Sequence, residues 1–453
     1  MGPDSASSAG RSSMMGSMPP PPPTPRASEV GRQLLTALGY GGLPVSLPDR
    51  TPLEDWAESG LMDLTRDTAG RPLRPRGVPA TVARGAAAAL VAVASERFGR
   101  SPAGGELDGA HLLAERAALA VADGDPGNRH LRRPSAAVSH GGRARFVPAY
   151  DGWWVLHLAR ESDVELVPAL VEAELPGHAG TEDAETVEEA WAAVEQWSAG
   201  RPVAEVVERA VLLGLPAAAP GETPAGTVPW SADSRSALGR PTRPGAPARV
   251  VALGALWAGP LAAQLLGEAG FEVVHVESVG RPDASRWGDP GLHELLHRGS
   301  EQVRVDFGTS AGRAELHALV SSADVVVEAS RPRALEGLGV APRHVLGDGR
   351  ARTWLQLTGH GPDQALRVGF GDDAAVAGGL VAEHPDGTPA FCGDALADPL
   401  GGLAGALAVA ALHRPDRTTR VAVSLAGVAA YCRSAGDVTW PAVLPAAGRP
   451  RHR

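Results

Sequence analysis

The sequence predicts an α/β protein, with a Rossmann-like parallel-sheet lobe in the second half of the chain and an α+β small domain in the first. Three observations carry this. From residue 249 onward, short β-branched runs alternate with helically spaced apolar residues; helical periodicity dominates the first half around a single hairpin; and a Ser-, Gly-, Pro- and Arg-rich stretch lies between the two. With 453 residues the chain is long enough for two or three domains, each with its own core.

Residues 1–30 read as a disordered leader, since they are rich in Ser and Pro and include the run Pro19 to Pro23. The leader has no apolar h-region, so a secretory signal is not expected. Helical spacing is clear over residues 83–98, 110–121, 186–199 and 203–212, and residues 145–158 (RFVPAYDGWWVLHL) read as a hairpin turning at Asp151-Gly152. Residues 231–248 (SADSRSALGRPTRPGAPA) have the composition of a linker, which divides the chain into segments 31–230 and 249–435. The second segment opens with a β-α-β unit. Residues 250–253 form a short buried strand, Leu261, Leu265 and Leu266 are helically spaced behind Pro260, Gly270 closes the helix, and residues 271–276 form the next strand. Further strands are expected at residues 324–328 (DVVVE) and 352–357, with a helix over residues 312–320. Residues 436–453 read as a tail.

Composition narrows the function. All 42 basic residues are arginine, which excludes Schiff-base chemistry and a Walker-type phosphate loop, because both need lysine. The net charge of -10 argues against nucleic acid as the main partner. Cys392 and Cys432 supply neither a disulfide framework nor a zinc cluster, and a reducing, cytoplasmic setting is expected. The apolar runs fall short of the roughly 20 residues that a membrane span requires. The Ala-, Gly-, Arg- and Pro-rich composition suggests a high-GC bacterial source.

Several motifs bear on chemistry. Asp398 precedes Pro399 and a run of small residues, a pattern that reads as a helix N-cap with proline at N1. There the free N-H groups and the helix dipole would keep its carboxylate ionised. Asp394 is its nearest rival. Gly308-Thr309-Ser310-Ala311-Gly312 fits the G-x-S-x-G of a hydrolase nucleophile elbow, but Thr309-Ser310 also reads as a plain helix cap. Ser139-His140-Gly141-Gly142 is a glycine-rich loop before Tyr150-Asp151-Gly152-Trp153. A modest internal repeat places Gly60-Leu61 on Gly379-Leu380 and the residues from Ala86 on those from Leu403, which sets Thr81 opposite Asp398.

As an ordered set these segments resemble the family III CoA-transferases, the CaiB/BaiF family that includes formyl-CoA transferase, carnitine CoA-transferase and 2-methylacyl-CoA racemase. Ala258-Gly259-Pro260 is similar to the family's A-G-P, His297-Arg298-Gly299-Ser300 to its N-R-G-K, and residues 306–313 to its D-L-K-x-x-x-G-R. Residues 323–332 are similar to A-D-V-x-x-E-N-F-R-P, Thr358-Gly359-His360-Gly361 to S-G-F-G, and residues 421–425 to V-x-V-S-L. The resemblance implies Asp398 as the catalytic carboxylate and the Gly141-Gly142 loop as a lid. It implies coenzyme A contacts by Trp257, Ala258, Gly259, Pro260, Arg298, Arg331, Gly359 and Phe370, with Arg333 as a further cation.

The first segment then reads as a degenerate copy carrying Thr81 in place of the aspartate, and the chain as a rearranged two-copy relative. The implied reaction moves CoA from an acyl-CoA to a carboxylic acid through aspartyl anhydride and thioester intermediates, with coenzyme A as part of the substrate and no bound metal or permanent cofactor. A homodimer is left open. Departures are Gly337 and Ser330, where members carry Arg and an aromatic residue, and Trp257 before A-G-P. They keep a second reading open, a catalytically decayed binder of acyl-CoA or of a partner. Phe370 stands where racemases of the family carry a histidine, and this disfavours a racemase.

Overall fold

The computed structural model describes residues 25–102, 107–122, 135–175, 184–237, 246–330, 332–346, 352–436 and 451. Its strands are β1 (Arg74–Pro75), β2 (Ala144–Ala149), β3 (Gly152–His157), β4 (Ala217–Ala218), β5 (Ser231–Ser236), β6 (Arg249–Leu253) and β7 (Glu272–Ser278). They continue with β8 (Glu301–Val305), β9 (Val325–Glu328), β10 (Thr353–Thr358), β11 (Val381–Glu383), β12 (Pro389–Phe391) and β13 (Arg417–Ser424).

Seven of these form one sheet in the order β5-β13-β10-β9-β6-β7-β8. All are parallel except β5, which runs antiparallel to β13 along the edge. Without β5 this is the doubly wound order 3-2-1-4-5-6, whose direction reverses between β6 and β9. Ligands of such sheets bind beyond the carboxyl ends of the strands at that reversal. The Rossmann-like lobe is therefore as expected, with its buried strands reading VVAL and VVVE.

The stretch expected as a linker departs from that expectation at its start. Residues 231–236 are strand β5, held by β13 through the register Ala422↔Ser231 to Arg417↔Ser236, while residues 238–245 lie outside the described residues. Every residue of β5 is exposed, so as an edge strand it has no need of apolar residues. The leader is shorter than expected, because a helix starts at Ala27 and buries Val30, Leu34 and Leu35; residues 1–24 are outside the described set, as is nearly all of the tail.

The hairpin forms as β2 and β3, with Ala149 opposite Gly152 and the turn at Tyr150-Asp151, one residue before the expected place. It joins β4 and packs Trp154 and Leu156 against Val194, Trp191 and Val206 in a core of its own. The remainder of the first segment shares a core with the sheet lobe. Helix Pro79–Phe98 packs on helix Ala397–Leu412, and strand β1 pairs with β11 in a small sheet completed by β12. Helix Ala397–Leu412 is buried throughout apart from Asp398 and Leu412; a Cβ on Gly402 would sit 2.8 Å from the Ala258 carbonyl, so glycine there allows close approach to helix Ala258–Glu268.

Candidate active site

Two adjoining cavities of about 150 and 210 Å³ open beyond the carboxyl ends of β6, β9 and β10. Leu256, Trp257, Phe370 and Asp398 form their common wall. Together they reach the lower end of the roughly 300–1,000 Å³ of ligand pockets. The first is lined by the loops after the three strands, at Ala255 to Gly259, Ala329-Ser330 and Leu357 to Gly359, with Arg367 at its side. The second is closed by residues of the first segment, Arg116, Ser139, Gly141, Arg143 and His157.

Asp398 is the one carboxylate that lines both cavities among the described residues. It is not the N-cap that the sequence suggested. Ala395 adopts a left-handed backbone (φ 43°), Leu396 caps the helix, and the helix starts at Ala397, so Asp398 and Pro399 fall in its first turn at N2 and N3. Nor is the carboxylate simply held ionised: burial, and next the charge of Asp372, push it up to about 7 against the pull of Arg116. The side chain is partly exposed to the cavity. Gly371 lies beneath it, where a Cβ would come 2.6 Å from Asp398 Oδ2 and 2.4 Å from the Ala395 carbonyl.

Around Asp398 stands a buried polar set contributed by both segments. Asp372 accepts the Ala395 N-H at 2.9 Å, and burial followed by Asp394 raises its carboxyl. Asp373 Oδ1 accepts the Phe370 N-H at 2.9 Å and lies 3.0 Å from His157 Nδ1. Burial opposes a charge on His157, but the hydrogen bond to Asp373 and the charges of Asp373, Asp372 and Asp163 outweigh it and raise the imidazole. Arg116 pairs with Asp289 and Asp394, each at 3.3 Å, and these acids, with Asp372 and Asp398, overcome the cost of burying it and hold it charged.

Of the residues expected to contact coenzyme A, Trp257, Ala258, Gly259, Gly359 and Phe370 line the first cavity. Gly141 borders the second together with Asp398, so the glycine-rich loop and the carboxylate meet across more than 250 residues of sequence. Gly142, at φ 71°, is not among the lining residues. Pro260 is buried in helix Ala258–Glu268, Arg298 and Arg333 are exposed and line neither cavity, and Arg331 is outside the described residues. Ser310 is exposed, and Thr309 caps its helix by accepting the Gly312 N-H at 3.0 Å.

Thr81 lines neither of these two cavities and donates to the buried Asp55 at 2.7 Å. The inference drawn from Phe370 changes as well. A histidine does reach the site, because β3 brings the His157 ring to 5.1 Å from that of Phe370. Sequence reasoning missed His157, Arg116, Arg143, Asp372, Asp373 and Arg367; the paired acids in Gly369-Phe370-Gly371-Asp372-Asp373 were the one available local signal.

The site is thus a pair of small cavities at the strand ends of a doubly wound sheet. Residues 246–445 match the family model described as CoA-transferase family III. The chain is similar to the succinyl-CoA--D-citramalate CoA-transferase of Chloroflexus aurantiacus, at 35% identity over 193 residues, 40% of this chain and 48% of that protein. It is also similar to the (R)-2-hydroxy-4-methylpentanoate CoA-transferase of Clostridioides difficile, at 31% identity over 203 residues, 40% of this chain and 51% of the relative. Among solved structures, a CAIB/BAIF family protein from Brucella suis is 27% identical with a TM-score of 0.38, over 41% of this chain and 54% of that one. The chain thus spans about half the length of the curated relatives it matches.

Proposed function

We propose that the protein is a CoA-transferase that moves CoA between a short acyl-CoA and a carboxylic acid, with Asp398 as its nucleophile. The observation that carries this is the position of Asp398, the carboxylate common to both cavities, at the strand ends where a sheet of this order binds ligands. In the proposed reaction the Asp398 carboxylate adds to the donor thioester carbonyl, a C–O bond forms, the C–S bond breaks and CoA thiolate leaves. The thiolate then attacks the Asp398 carbonyl and expels the donor acid, which leaves an aspartyl-CoA thioester. An acceptor carboxylate repeats the exchange in reverse and frees Asp398. Holding carboxylate and thioester together can be worth about 7–11 kcal/mol.

The site supports each part of this. The raised carboxyl is partly protonated near neutral pH and is a stronger nucleophile once ionised, because enclosure has stripped it of water. The Gly141 backbone covers the second cavity without a side chain, and screens the anhydride from hydrolysis. Arg143, which lines the second cavity, offers a cation to a second carboxylate on the acid. The two segments can be viewed as a rearranged pair of family copies, of which the one with Thr81 has no site.

A second reading, proton exchange at the carbon next to the thioester, rests on His157, which is held by Asp373 beside Asp398. The test is CoA transfer from a panel of short acyl-CoA donors to mono- and dicarboxylates. Wild type is expected to be active and Asp398→Asn to lose at least a hundredfold. Retention of more than a tenth of the activity in the variant would remove Asp398 as nucleophile.

A further inference from the structure

We propose that Asp283, His293 and His297 form a binding site for a divalent cation of the zinc class, placed behind the Leu256-Trp257 wall of the cavities. One ligand atom from each of the three residues lies within 4.8 Å of the others, and all three side chains are buried. His293 and His297 stand at i and i+4 of helix Pro290–His297, in the sequence His-Glu-Leu-Leu-His, a spacing that sets two imidazoles on one helix face. Asp283 faces them from the loop after β7, with Oδ2 at 4.0 Å from His293 Nδ1.

The surrounding bonds orient these groups as the second shell of a metal site does. Asp283 accepts the backbone N-H of Ser285 at 2.9 Å and of Leu256 at 3.1 Å. His297 Nδ1 lies 2.8 Å from the His293 carbonyl, so it carries the proton and leaves Nε2 with its lone pair. His293 Nε2 is buried with no hydrogen-bond partner among the described residues, and neither nitrogen of the buried His275 has one. The His275 ring lies 4.2 Å from that of His297, which in turn lies 4.0 Å from that of His293. Three imidazoles in contact, with three unpartnered nitrogens between two of them, are costly in an apolar setting unless something takes those lone pairs or protons.

Two nitrogen ligands and one oxygen suit a borderline cation rather than magnesium or calcium, which favour oxygen alone. Zinc-ligand bonds of about 2.0–2.1 Å need ligands about 3.3 Å apart, so the side chains would close by up to about 1.5 Å from their present separations of at most 4.8 Å. His275 is the neighbouring donor for a fourth position. Glu294, the residue between the histidines that serves as a base in metallohydrolases, is exposed here, so the site is assigned a structural role. That role concerns Leu256, a non-glycine residue at φ 67° whose N-H is held by Asp283 and whose side chain lines both cavities.

Tag-free full-length protein, stripped with a chelator, is titrated with Co²⁺ followed by visible absorption, and with Zn²⁺ by competition and by thermal shift. The expected result is one equivalent bound, with the intense d-d bands of a low-symmetry tetrahedral site, and a melting temperature that rises with added Zn²⁺. His297→Gln and Asp283→Asn should each weaken Co²⁺ binding at least tenfold. If wild type binds no stoichiometric Co²⁺ or Zn²⁺, or if folded His297→Gln binds as wild type does, the cluster is only packed imidazole and the proposal is overturned. The wild-type titration decides the matter even where a variant does not fold.

Discussion

Replacing Asp398 by Asn keeps the side chain's shape and removes its charge, and the structure predicts that this stabilises the fold in a pH-dependent way. Burial, then Asp372, shift the carboxyl from 3.8 to about 7. At about 1.4 kcal/mol per pH unit, that gap sets a penalty of ~4 kcal/mol on the ionised form. The side chain opens onto the cavity, where water relaxes part of the penalty, so a net gain of about 1–3 kcal/mol is expected for the variant at pH 8. The sign follows from proton counts. Between about pH 4 and 7 the folded state keeps a proton that the unfolded chain has released, so wild type loses stability as pH rises through this window, while the Asn variant does not. Its advantage is therefore small near pH 4, grows toward pH 7 and is constant above. Urea unfolding of both proteins at pH 5 and pH 8 measures this. A variant less stable than wild type at pH 8, or one offset equally at both values, would refute the electrostatic account of the site.

Four further outcomes are expected. Transfer measured as kcat/KM should rise with pH, with a midpoint near 7, because the ionised carboxylate reacts; a flat profile from pH 5.5 to 8.5 would contradict this. Gly371→Ala drives a methyl group against Asp398 and the Ala395 carbonyl, so it should cost about 1–3 kcal/mol and at least tenfold in kcat, whereas an unchanged kcat would show that the carboxylate needs no such seating. Gly141→Val has open space around its Cβ and should lower transfer with little change in melting temperature, while Gly142→Val, at φ 71°, should mainly destabilise; the opposite pattern would remove the Gly141 backbone from the cavity. Ser310→Ala should change stability by less than about 0.5 kcal/mol and leave activity intact, and loss of an esterase activity on that change would instead restore the hydrolase reading.

The sheet lobe was legible because its strands are buried on both faces and appear as unbroken apolar runs, as in residues 250–253 and 324–328. Edge strands were not. β5 (SADSRS) and the largely exposed β8 (EQVRV) owe their conformation to a neighbouring strand, not to their own hydrophobicity. Asp398 stands out in the sequence through its helix and its resemblance, but the charge state of its carboxyl does not. Asp-Pro signals a cap locally, whereas the left-handed Ala395 moves the helix start, and burial, followed by the acids of residues 372, 373 and 394, raises the carboxyl. His157 and Asp373 are 216 residues apart, and Arg116 meets Asp394 across a still longer gap, so no local pattern could pair them. Only the folding of the first segment over the strand ends brings them to the cavity.

The central claim is that Asp398 forms a covalent bond to substrate carbon. Mixing the protein with short acyl-CoA thioesters without acceptor, quenching rapidly and mapping the digest by mass spectrometry tests it most directly. The account predicts an acyl or CoA adduct on the peptide containing Asp398, absent in Asp398→Asn and discharged when an acceptor carboxylate is added. CoA transfer that proceeds with no adduct on this peptide, or an adduct that persists in Asp398→Asn, would contradict it.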